Sequence, residues 1–173
     1  MVEFNRTTTK LSESATGLQS VVPLMLVVEN CSQDEFVVKS NFRFIIEEPE
    51  LNLYPTTQKL LLEYLIEKCT KGDNRLIITT HSPYILAALN NCIQADNVKR
   101  EYPEDAPKAD QLVRPESQIA YEDVMAYYVA DGTAKAIMNE EYRLIDANAL
   151  DDVSNEIDRI FDQLLDLKYQ HQE

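Results

Sequence analysis

The chain has 173 residues, a length suited to one domain, and 45% of them are hydrophobic, enough for a buried core. Thirty acidic residues against sixteen basic ones leave a net charge of −14, which excludes nucleic-acid binding by bulk charge and leaves nucleic acid only to a wider assembly. No apolar run reaches the roughly 20 residues of a membrane helix, the polar, Thr-rich Met1–Lys10 is unlike a signal peptide, and Cys31, Cys69 and Cys92 are too widely spaced for a disulfide framework or zinc knuckle. These features predict a soluble cytoplasmic protein with no membrane contact.

Leu18, Val21, Val22, Met25, Leu26 and Val28 recur near helical spacing and predict a helix over Gly17–Glu29, with Pro23 in an early turn or at a kink. Asn41–Ile46 is aromatic and β-branched and ends in Glu47-Glu48-Pro49, as a buried strand does at its edge. Pro55 opens a second helix whose apolar face is Leu60, Leu61, Tyr64, Leu65 and Cys69, with Gly72 as its stop. Leu76–Thr80 is another buried-type strand, and Ser82 then caps a helix that starts at Pro83 and continues through Leu89. Strand, helix, strand, helix predicts an α/β fold with parallel strands and flanking helices, and in such sheets ligands bind at the carboxyl ends of the strands. Glu47, Glu48 and His81 all fall at those ends.

From Ala95 to Ser117 the chain is polar, contains Pro103, Pro107 and Pro115 and has no period, which predicts a loop or a flexible insertion within a single lobe spanning 1–173. Val124–Ala130 and Ala134–Met138 flank Asp131-Gly132-Thr133 as a β-hairpin. Val153, Ile157, Ile160, Leu164 and Leu167 follow a 4-3-4-3 spacing, which predicts an amphipathic C-terminal helix packed on the lobe by that face.

The segment 44–55 (FIIEEPELNLYP), followed by 76–83 (LIITTHSP), resembles the ABC-like ATPases of the AAA/OLD (overcoming lysogenization defect) type. Upstream, 11–20 (LSESATGLQS) is similar to a degenerate ABC signature motif, and the three motifs stand in the family's order. The resemblance implies a P-loop NTPase-like, ABC-type C-terminal lobe that uses ATP and Mg2+. It assigns the metal to Glu47, general base or water positioning to Glu48, and a hydrogen bond near the γ-phosphate to His81. Ser14, Thr16 and Gly17 would face the γ-phosphate of ATP held by the opposite protomer, with either hydroxyl, Ser14 or Thr16, as the phosphate contact. Phosphoryl transfer to water calls for these parts: a metal near the β- and γ-phosphates, a carboxylate beside it and a group that orients the water. Asn52 and Tyr54 stand where relatives often carry histidine, so the turn after the acid pair has no catalytic assignment, and Leu51 and Leu53 read as core.

The phosphate-cradling pattern GxxxxGK[ST] does not occur in the chain. The expectation is therefore the C-terminal half of an OLD-like ATPase, inactive or weak alone, working as a homodimer or with a P-loop-containing chain or segment. The alternative is a non-catalytic dimerisation or partner-docking module that retains a relic ATPase lobe.

Overall fold

The computed structural model describes residues 2–4, 7–32, 41–146 and 159–164. Two short strands, β1 (Val2–Phe4) and β2 (Thr7–Thr9), pair antiparallel in a stretch the sequence marks only as polar. A 3-10 turn at Leu11–Glu13 leads into α1 (Thr16–Cys31), which contains Pro23. Then come β3 (Arg43–Glu47), α2 (Pro55–Cys69), β4 (Arg75–Thr79) and α3 (Pro83–Glu101). The expected strand–helix–strand–helix order is therefore present. β3 and β4 are parallel and in register from Arg43 opposite Arg75 to Glu47 opposite Thr79.

The even-numbered residues of these strands, Phe44, Ile46, Leu76 and Ile78, face the helices. With Val28 of α1 and Leu61, Leu65 and Cys69 of α2 they form one part of the core. α1 meets α2 through Val21, Leu24, Val28 and Cys31, spaced 3-4-3. Tyr64 Oη fastens the two helices by donating to Glu29 Oε2 at 2.8 Å. The second part of the core lies between α2 and α3, where Leu62 and Ile66 pack with Ile85, Ala88, Cys92 and Ala95. Leu60, expected on the buried face of α2, is instead exposed, and Leu62 and Ile66 are buried. α2 carries apolar residues on two sides because α1 and β3 cover one flank and α3 the other.

The stretch 95–117 is helical rather than loop. α3 continues to Glu101, a 3-10 turn follows at Pro103–Asp105, α4 spans Ala106–Leu112, and another 3-10 turn covers Pro115–Ser117. Pro103, Pro107 and Pro115 each occupy the first or second position of a helical turn, where a missing N–H costs nothing and a fixed φ suits the helix. Ala95, Ala109, Val113 and Ser117 are buried there. The period escapes the sequence because the residues buried in this stretch, with Asn97 among them, are small or polar rather than large and apolar.

The hairpin lies near its expected position, as β5 (Tyr127–Ala130) and β6 (Thr133–Ala136) in antiparallel register. Asp131 and Gly132 both have positive φ, 51° and 70°, as a two-residue turn of matching twist requires. A further short pair, β7 (Met138–Asn139) and β8 (Leu144–Ile145), follows. The Asn90 side chain of α3 clamps β8 by donating to Ile145 O (2.9 Å) and accepting from Ile145 N–H (2.8 Å). Residues 159–164 are helical, but Ile160, Phe161 and Leu164 are exposed, so these positions do not pack as the spacing predicts; Val153, Ile157 and Leu167 lie outside the described residues. Among the described residues no helix is long and apolar enough to cross a membrane.

Cys69 and Cys92 are free thiols with no exposed surface. Burial pushes each from 9.0 up to about 12, assisted by the neighbouring Cys31 for the first and by Glu63 for the second. The fold therefore favours the neutral thiols; their stabilising contribution is complete below about pH 9 and is lost as pH climbs from there toward 12. Urea midpoints recorded across that interval should fall for the wild type and fall less for a Cys69→Ala, Cys92→Ala chain.

Candidate functional site

β3 and β4 run in the same direction and in register, so their carboxyl ends meet at one edge of the sheet. Glu47, the last residue of β3, lies opposite Thr79 and is exposed. The next residue, Glu48, is half-buried and has φ +43°, a left-handed conformation uncommon outside glycine. Its N–H still donates to Thr79 O at 2.8 Å, extending the ladder by one bond into the turn. The consequence is a reversal of chain direction directly after the acid pair. Glu48 Oε1 then stands 3.5 Å from His81 Nε2, and the His81 side chain is 88% exposed. Two of the residues singled out in the sequence, separated by a strand and a helix, are thus brought together.

The turn 48–54 that follows is held from three sides. Asn52 also has positive φ, 62°, a conformation its short amide side chain tolerates. Leu53 packs against the core, whereas Leu51, expected there, is 53% exposed. From α2, Gln58 Nε2 donates to Leu53 O at 3.0 Å. From α1, Gly17 comes so close that a Cβ on it would lie 2.7 Å from Asn52 O and 3.1 Å from a Leu53 methyl. This contact carries the N-terminal end of α1 to the turn that begins at Glu48. Gly17 therefore has a packing role independent of any anion.

Thr16, the first residue of α1, is exposed. Ser14 Oγ donates to Lys10 O at 3.1 Å and Ser14 O accepts from Gln19 Nε2 at 2.7 Å, so its hydroxyl closes the local turn. The N-cap position is Ala15, with no side-chain hydrogen bond to the first turn. The free N–H groups at this helix start retain the positive end of the helix dipole, a setting that favours an anion.

Glu50 escapes the sequence argument. Its carboxylate is buried, and Oε1 accepts from Thr80 Oγ1 at 2.5 Å and from the His81 N–H at 3.0 Å. It is the third acid of Glu-Glu-Pro-Glu, the one signal that could have marked it. Ser82 caps α3 as expected by accepting from Tyr84 N–H at 3.2 Å, and its Oγ also donates to Gln58 Oε1 at 2.6 Å.

Among the described residues no group of three or more His, Cys, Asp or Glu side chains is assembled to hold a metal ion. A groove of about 530 Å³ opens between α3 and α4, lined by residues that include Lys59, Gln94, Val98, Lys108 and Leu112 and none of the acid and histidine residues above.

Residues 4–86, just under half of the chain, match a family model described as an AAA ATPase domain. The matched segment contains α1, the acid pair and His81, and it supports an AAA-type ATPase family and, at that coarse level, ATP binding and hydrolysis. No curated protein and no solved structure matches the chain.

The contact at Gly17 sets two effects of opposite sign against each other. In a helix, Gly→Ala alone gains up to about 1 kcal/mol, whereas forcing a methyl into a backbone carbonyl costs about 1–3 kcal/mol. Gly17→Ala should lower the urea midpoint; a raised midpoint would show that α1 and the turn are not in contact.

Proposed function

We propose that the chain is the hydrolytic half of an ABC-like ATPase of the AAA/OLD type, in which water attacks the γ-phosphate of ATP. One observation carries this: Glu48, turned by a left-handed backbone, lies 3.5 Å from His81 at the carboxyl ends of two in-register parallel strands. Ligands of parallel α/β sheets bind at that edge, and a backbone strained at a half-buried acid is a mark of functional positions.

Glu48 is the water-positioning residue or general base, and His81 orients it and meets the γ-phosphate by a hydrogen bond. Glu47 is the metal-holding residue. Magnesium in nucleotide sites takes one or two carboxylates and completes its shell with phosphate oxygens and water. An exposed lone carboxylate at a strand end fits that donor set, whereas an all-protein cage would not be consistent with these residues. When bound, the ion would supply neutralisation of charge on the β- and γ-phosphates. The start of α1, with Thr16 and Gly17 and with Ser14 beside it, supplies an anion-favouring helix end to nucleotide held by an opposite protomer.

The gripping lysine and its amide cradle come in this proposal from a P-loop-bearing segment or chain, and two copies of the assembly sandwich the nucleotide. The sheet supports such association. Ile45 is 67% exposed and Ile77 50%, side by side on the face of β3–β4 that no helix covers among the described residues, although parallel sheets are normally covered on both faces. The same bare face favours a second reading, a partner-docking lobe that no longer turns over nucleotide. Dependence of association on Mg-ATP separates the two.

The isolated chain should bind Mg-ATP weakly and turn it over slowly, and robust hydrolysis by it alone would refute the division of labour proposed. In the assembly with a P-loop partner, Glu48→Gln should reduce ATP turnover by about 10²-fold or more and leave nucleotide affinity unchanged. Equal turnover in an ATPase assay would remove Glu48 from its role.

A further inference from the structure

A buried polar cluster lies beneath the acid–histidine pair. Glu50 Oε1 accepts from Thr80 Oγ1 and from the His81 N–H. Thr80 Oγ1 accepts in turn from the Ser82 N–H at 3.0 Å, and Ser82 Oγ donates to Gln58, which donates to Leu53 O. Glu50, Gln58 and Ser82 are all buried. Three of these links, Glu50 to Thr80, Glu50 to His81 and Ser82 to Gln58, join the turn after β3, or the start of α2, to the three residues that follow β4. The middle one of those three is His81.

Holding a carboxylate here is unfavourable for folding. Glu50 is 7% exposed, and its Oε2 is buried with no hydrogen-bond partner among the described residues, an arrangement that costs free energy wherever it occurs. What it provides is a short, strong acceptor shared by two donors, and a hydroxyl donating at 2.5 Å is in the range of carboxylate acceptors. The His81 ring, 88% exposed, gains little from packing. Its place beside Glu48 therefore depends on how firmly its own backbone is held.

We propose that Glu50 is the positioning residue of this site: through the Thr80 hydroxyl and the His81 N–H it fixes the backbone from which His81 reaches Glu48. Glu50 touches no reacting atom; it acts through His81. The inference rests on Glu48 and His81 working as a pair, and it is testable in the chain without turnover.

The chain has two histidines, so the ring signals of His81 can be assigned in 15N- and 13C-edited NMR spectra with a His171→Gln background. Glu48→Gln should shift the His81 ring signals in the otherwise unaltered chain. It should shift them equally in Glu50→Gln, where an amide oxygen still accepts from both donors, and should no longer shift them in Glu50→Ala. Thr80→Val, which removes the hydroxyl from the cluster without opening a large cavity, should diminish the response and serves in place of Glu50→Ala if that variant fails to fold by circular dichroism. An undiminished response in a folded Glu50→Ala chain, or in Thr80→Val where it substitutes, overturns the proposal. Loss of the response together with an assembly that hydrolyses no ATP would uphold the positioning role and remove the hydrolytic one.

Discussion

The parallel pairing of β3 with β4 governs this molecule. Five residue pairs, from Arg43 with Arg75 to Glu47 with Thr79, are in register, and the Glu48 N–H adds one more bond to Thr79 O. A slip of one residue would turn Phe44 and Ile46 away from α1 and α2 and bring Ile45 into the core. It would also separate Glu48 from His81. The same alternation that buries the apolar face therefore aligns the strand ends that carry Glu48 and His81, and packing energy supports the geometry of the candidate site.

Beyond the strand ends, hydrogen bonds and close backbone approach take over from hydrophobic packing. The turn 48–54 includes two non-glycine residues at positive φ, Glu48 and Asn52, each of order 1–3 kcal/mol. It persists because α1 abuts it at Gly17, Gln58 of α2 ties Leu53, and Glu50 joins it to Thr80 and His81. Elements far apart in sequence thus converge on one tight reversal. Strain of this kind is tolerated where the surroundings over-determine it, and it leaves the acid carboxylates at the surface while the supporting polar groups stay buried.

The opposite face of the sheet has no such support. Arg43, Ile45 and Glu47 alternate with the inward-facing residues of β3, as Arg75, Ile77 and Thr79 do in β4, and among the described residues no helix covers them. Near-continuous apolar runs such as FII and LII suit strands buried on both sides. Among the described residues one side is covered, so the composition of these strands exceeds what that packing uses, and the proposed association with a partner rests on this excess.

Much of the architecture was legible locally. The helix over 16–31, the strands ending at Glu47 and Thr79, the helix opened by Pro55 and the Ser82 cap all follow from spacing, β-branching and capping chemistry that act within a few residues. The stretch 95–117 was not, because its buried residues, Ala95, Asn97, Ala109, Val113 and Ser117, are small or polar and its prolines start helical turns rather than break them. By itself the sequence determined the α/β order and the placement of Glu47, Glu48 and His81 at strand ends, since periodicity and strand termination are properties of neighbouring residues. Only the tertiary structure decided that Glu48 turns left-handed toward His81, that Gly17 makes room for Asn52, and that Glu50 is buried beneath them, because a hydrogen bond or a steric contact between distant segments leaves no period in the chain that forms it.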